Sequence, residues 1–134
     1  MQTTGHQPGG SAVILVVEDE DLLRIMTVNL LEDMGHHVIP AASAQEALEV
    51  IRTDPGIDLL FTDIRMPGMD GFQLAERVCA LRPAIKVIYA TGYAEVESRP
   101  SPNAPGPLLR KPYAPEALAE EIGKVLADRD QNRN

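Results

Sequence analysis

Residues 57–72 read IDLLFTDIRMPGMDGF, and three kinds of local structure follow one another within them. The first six, 57–62, form a short apolar run of the kind that makes a buried strand. Residues 63–71 are crowded with turn formers, among them Asp63, Pro67, Gly68, Asp70 and Gly71. From Phe72 onward Phe72, Ala75, Val78 and Cys79 fall on one helical face. A strand, a loop and a helix in that order make up half of a crossover between parallel strands, which places the loop at a strand's carboxyl end.

The same alternation extends in both directions. Upstream, residues 12–17 (AVILVV) make a continuous apolar strand, and Leu22, Ile25, Met26, Leu30 and Met34 then recur at helical steps over 19–34 until Gly35 stops the helix. A second strand covers 38–41. Ser43 and Glu46 form an S-x-x-E capping box that opens a helix with Ala44, Ala47, Leu48 and Ile51 inward, and Pro55 and Gly56 end it. Downstream come a fourth strand over 85–90, a short fifth over 108–110, and a last helix from Pro115 with Leu118, Ile122, Val125 and Leu126 inward. Between the fourth and fifth strands the residues 95–107 hold four prolines and no helical period, so any helix there is short or irregular. The pattern predicts an α/β fold with a parallel sheet covered on both faces and its chemistry at the carboxyl ends of the strands.

The chain has 134 residues, room for one domain and not for a second of comparable size. The expected division is a disordered leader at 1–11, one α/β unit at 12–127 and a frayed polar tail at 128–134. A net charge of −8 repels phosphate backbones and anionic lipid, which argues against nucleic acid and membrane surfaces as partners. Cys79 is the single cysteine, no apolar run approaches a bilayer's thickness, and the first residues lack the features of a secretion signal. A cytoplasmic location is the expectation.

Several chemically suggestive groups fall at the predicted strand ends: the acidic run Glu18, Asp19, Glu20, Asp21, then Asp63, Thr91 and Lys111. Carboxylates brought together repel unless a cation lies between them, and hard oxygen ligands in an open loop suit Mg²⁺ or Mn²⁺. A lysine and a threonine hydroxyl across the same cleft complete a phosphoryl-binding set, and a carboxylate can itself serve as the nucleophile. Glu20 and Asp21 have a simpler role, since acids at a helix start complement its dipole.

The motifs VVEDE (16–20), TDIRMPGMDGFQLA (62–75), ATGY (90–93) and LLRKPY (108–113) together resemble the response-regulator receiver domain of two-component signalling, over nearly all of 12–127. The resemblance implies a flavodoxin-like, doubly wound five-stranded sheet in the order 2-1-3-4-5. It implies that Asp63 takes a phosphoryl group from a sensor histidine kinase or a histidine phosphotransfer protein. Asp19 and Asp63 would be carboxylate ligands of Mg²⁺, the backbone carbonyl of Arg65 a further ligand, and Glu18 a ligand through water. Thr91 and Lys111 would contact the phosphoryl group, and Pro112 would follow a cis bond. Arg65 and Tyr93, each two residues past a site residue, are placed to slow hydrolysis by flanking the path of attacking water. With no effector domain inside the chain, output would pass through contact with a downstream protein.

Three positions depart from the family pattern. Glu18 stands where aspartate is common, Leu108 where many receivers carry an aromatic switch residue, and the proline-rich stretch where the family has a helix. Two other readings compete. One is a receiver-like binding module that works without phosphorylation. The other is a haloacid-dehalogenase-like phosphohydrolase using Asp19 of the Asp19-Glu20-Asp21 run, for which the late carboxylate site and the cap are missing.

Overall fold

The computed structural model describes residues 11–92 and 106–132, with side chains described through Asp128. Its elements run β1 (Val13–Val17), α1 (Asp21–Asp33), β2 (His37–Ala41), α2 (Ala44–Thr53), β3 (Leu59–Asp63), α3 (Gly71–Leu81), β4 (Lys86–Thr91), β5 (Leu108–Arg110) and α4 (Pro115–Asn132). The strands form a single sheet in the order β2-β1-β3-β4-β5, every pairing parallel, the order that the family resemblance implies. After β1 the chain moves outward to β2 and then crosses to the other side of β1 for β3. The carboxyl ends of β1 and β3 therefore flank the point where the winding reverses, the place at which such sheets open a crevice.

Because β1 and β3 are central, their side chains are buried on both faces, and alternation divides them between two apolar layers. Leu15, Val17 and Leu60 pack with Leu48, Ile51, Leu74 and Val78 from α2 and α3. Ile14, Val16, Leu59 and Phe61 pack on the opposite face with Leu31 of α1 and Leu118, Ile122 and Leu126 of α4. Pro40, which has no N–H to give a ladder, sits on the edge strand β2, where that loss is tolerated.

Helix ends follow local chemistry. Gly35, at a φ of 98°, closes α1 with the paired bonds of a Schellman turn, Gly35 N–H to the Glu32 carbonyl and His36 N–H to the Leu31 carbonyl. Ser43 caps α2 by accepting from Glu46 N–H at 3.1 Å. The reciprocal half of that box reaches one residue further back than expected, with Glu46 accepting from Ala42 N–H.

Three expectations need adjustment. In α1 Leu31 is core, with Val28, Leu30 and Met34 packed against it, whereas Leu22, Ile25 and Met26 are 68%, 53% and 56% exposed. Helical spacing alone admits two neighbouring stripes on so apolar a helix, and the neighbouring sheet and α4 cover one of them. In α3 the buried set is Gly71, Leu74, Ala75 and Val78, with Phe72 and Cys79 only partly covered. At the far end α4 continues to Asn132, past the predicted boundary at residue 127. There a 2.8 Å ion pair from Lys86 at the start of β4 to Asp128 ties the polar end of the helix to the sheet.

The expected leader falls largely on residues 1–10, which lie outside the described residues, and so does 95–105 of the irregular stretch expected at 95–107. Among the described residues no helix is long and apolar enough to cross a membrane.

Candidate functional site

The site is assembled from three strand ends. β1 delivers Glu18 and Asp19, β3 ends on Asp63, and Lys111 follows β5, while Arg65, Met66 and Pro67 come from the loop after β3. These residues, with Glu20 and Gly92, line an open cleft of about 500 Å³. Its position is fixed by backbone bonds across the ladder. Glu18 N–H reaches the Ala41 carbonyl at 3.1 Å, Ile64 N–H the Ala90 carbonyl at 3.0 Å, and Lys111 N–H the Thr91 carbonyl at 2.7 Å.

Glu18, Asp19 and Asp63 each bring a carboxylate oxygen within 4.8 Å of the others. Lys111 Nζ lies between two of them, 3.0 Å from Glu18 Oε1 and 3.1 Å from Asp63 Oδ1. Burial and the nearby charge of Glu18 push Asp63 up to about 6, against the partial relief that Lys111 provides. Burial pulls the Lys111 ammonium down, but its hydrogen bond to Glu18 and the charges of Asp63 and Glu18 outweigh that, and it is held above its ordinary range. One ammonium thus faces three carboxylates, a balance that favours entry of a further cation. Three hard oxygen donors at this spacing fit a divalent ion of the Mg²⁺ or Mn²⁺ kind.

The other anticipated residues are placed as follows. Arg65 is exposed on the cleft wall. Thr91 ends β4 buried, with its hydroxyl donating to the Gly92 carbonyl at 3.1 Å, one residue behind the cleft lining. The Lys111-Pro112 bond is cis, as expected. Tyr93 lies outside the described residues. Asp21 is in the first turn of α1 and pairs with Arg24 at 2.7 Å, away from the carboxylate cluster, in keeping with a helix-start acid.

Two contributors escaped the sequence reading. Arg24 Nη1 donates to the Glu18 carbonyl at 2.9 Å while Nη2 holds Asp21, so a single guanidinium clamps the acidic loop to the first turn of α1. The i, i+3 spacing of Asp21 and Arg24 was the available signal. Tyr113 sets its hydroxyl 3.3 Å from that of Thr27 and its ring against Phe61, tying the segment after Lys111 to α1. A pair 86 residues apart leaves no local trace.

Residues 14–122 match the response regulator receiver domain family, and the chain belongs to that family. It is 38% identical over 115 residues to the response regulator receiver protein CpdR of Brucella abortus (strain 2308), covering 84% of this chain and 95% of that protein. It is 39% identical over 125 residues to the sensor kinase CckA of the same organism, covering 90% of this chain but 13% of CckA. Among solved structures, a CheY-like receiver domain protein from Methanospirillum hungatei JF-1 superposes with a TM-score of 0.83 at 35% identity, covering 92% of this chain and 99% of that one. The protein is accordingly a phosphoacceptor domain of two-component signalling and not an enzyme in the ordinary sense. The phosphohydrolase reading is not favoured.

Proposed function

We propose that Asp63 is the phosphoacceptor and that a phosphohistidine on a sensor histidine kinase or a histidine phosphotransfer protein is the donor. The observation that carries this is the meeting of Asp63 with Lys111 at 3.1 Å, at the point where the winding of the sheet reverses. An Asp63 carboxylate oxygen attacks the donor phosphorus, an O–P bond forms, the P–N bond breaks, and the electron pair returns to the imidazole nitrogen, which then takes a proton. Lys111 stays protonated and is placed to neutralise charge on the incoming phosphoryl oxygens. Asp19 and Asp63, with the backbone carbonyl of Arg65, would hold Mg²⁺ or Mn²⁺, and Glu18 stands at the third corner of the cluster. When bound, the ion supplies positive charge that offsets the repulsion between carboxylate and phosphoryl group.

Hydrolysis returns the carboxylate, and Arg65 on the cleft wall, with Tyr93, tunes that step by restricting water. The helix face of Leu22, Ile25 and Met26, which begins two residues beyond Glu20 at the cleft, supports a function exercised through protein contact. The lone Cys79, half-buried and raised by burial, suits a reducing cytoplasm.

Intact-mass measurement after incubation with an acyl-phosphate donor and Mg²⁺ tests the assignment. The protein should gain one phosphoryl group and Asp63→Asn none. Gain retained in Asp63→Asn but lost in Asp19→Asn would point to hydrolase chemistry, and no gain by a folded, Mg²⁺-binding sample would point to a phosphorylation-independent module.

A further inference from the structure

We infer that a single water molecule binds under the floor of the cleft, held by the hydroxyls of Thr27 and Tyr113, and that it joins α1 and the segment after β5 to the carboxylates. The inference stands whichever chemistry the cleft performs. A small void lies between the carboxyl ends of β1 and β3, α1 and Tyr113, and about 10 Å³ of it is open to the centre of a water molecule. That is room for one water and for no larger ligand. Val16, Phe61 and Ala90, from the apolar layer shared with α1 and α4, line one side. Glu18, Thr27, Asp63 and Tyr113 bring polar groups to the rest. A void lined only by apolar side chains stays dry, whereas a water with about two to four polar partners is part of the structure.

Hydrogen-bond accounting supplies the partners. The two hydroxyls face each other at 3.3 Å, longer than the ordinary O–H···O separation of about 2.7–2.8 Å. Either can donate, but a pair of hydroxyls carries two protons and a single contact uses one of them. Among the described residues neither hydroxyl has a second partner. Burial holds the Tyr113 phenol above its ordinary range, so it keeps its proton at neutral pH. One O–H is therefore left without an acceptor. The Thr62 hydroxyl, which also borders the void, is already spent on the Asp63 carbonyl at 2.9 Å. The Asp63 carboxylate has capacity to spare, since an ionised carboxylate offers about four lone-pair sites and its ion pair among the described residues is with Lys111 alone. A water in the void accepts the leftover proton and donates its own to a carboxylate oxygen and to the second hydroxyl, so each group gains what it lacks. Phenylalanine at 113 or valine at 27 would fill the same space and offer that water nothing.

Crystal structures of the protein and of Tyr113→Phe, Thr27→Val and Thr27→Ser, at a resolution that shows ordered water, test the site. The wild type should hold one water in the void, within about 3.2 Å of one of the two hydroxyls and of a Glu18 or Asp63 carboxylate oxygen. Tyr113→Phe and Thr27→Val should lose it, and Thr27→Ser, which keeps the hydroxyl, should retain it. Urea denaturation of Tyr113→Phe, Thr27→Val and the double variant tests whether the groups act as one unit. Each single change should lower the folding equilibrium constant by about fivefold, the worth of one net hydrogen bond. The double variant should lose little more than either single one, because the same bonds are lost once. A dry void in the wild type would overturn the inference, as would a water that keeps its place in both Tyr113→Phe and Thr27→Val. Additive losses of about 25-fold in the double variant would also overturn it. Should Thr27→Val fail to fold, the wild type and the near-isosteric Tyr113→Phe still decide whether the water is there and whether the phenol holds it.

Discussion

Asp63 carries a conflict that the rest of the cleft is arranged to manage. As the proposed phosphoacceptor it must be ionised to attack phosphorus, yet burial and the charge of Glu18 raise it to about 6 from an ordinary 3.8. Between those values the folded protein binds more protons at this site than the unfolded chain does, so this residue's contribution to stability falls as pH rises through the window. In the presence of a chelator, Asp63→Asn should therefore be more stable than wild type by about 1 to 2 kcal/mol at neutral pH, discounted for solvent in the open cleft, and equal to it near pH 4. Urea denaturation at the two pH values checks this; a gain independent of pH would assign it to something other than charge. The identities of Asp63, Asp19 and Lys111 were legible because each follows a recognisable strand in a specific motif. The partnership of Lys111 with Glu18 was not, since it joins residues 93 apart in sequence.

The start of α3 shows how an element presents a residue. Asp70 and Gln73 form a complete capping box, each side chain bonded to the other's backbone N–H at 2.8 and 3.0 Å, and Gly71 N–H bonds back to the Ile64 carbonyl at 2.8 Å. A Cβ at Gly71 would press into the Asp63 carbonyl and approach the Ile64 Cα to 2.9 Å. No flexible side-chain end is available there to yield. Gly71→Ala should cost about 2 kcal/mol in denaturant unfolding and, if Asp63 is the acceptor as proposed, also slow its labelling, because relief requires the backbone of Asp63 itself to shift. A variant that loses stability but labels at the wild-type rate would show that the loop absorbs the strain elsewhere. The box at Ser43 was read from sequence because S-x-x-E precedes a clear apolar stripe, while the one at Asp70 lay inside a turn-rich loop that masks the same signal. In α1 the period identified the helix but not its buried side, as neighbouring apolar stripes are resolved only by what packs against them.

At the scale of the molecule, alternating strands and helices made a covered parallel sheet legible, but strand order is a non-local property. It came from resemblance to a family and not from any local pattern. The exposed stripe on α1 bears on partners. Replacing Leu22 and Ile25 by serine should change stability by no more than about 0.5 kcal/mol, as expected for surface sites, and leave labelling by a small acyl phosphate intact. Transfer from a phosphorylated histidine protein should fall by about tenfold or more if this face seats the donor, and equal transfer by both proteins would place the contact elsewhere. The Lys86 to Asp128 ion pair has a further meaning. It joins the amino end of β4 to the last turns of α4, so the polypeptide leaves α4 at the sheet edge opposite the cleft. The path into β1 begins at that same edge, where Ala12 accepts from His37 N–H. A module joined directly at Ser11 or at Asn132 would thus set out from the side of the unit away from the cleft.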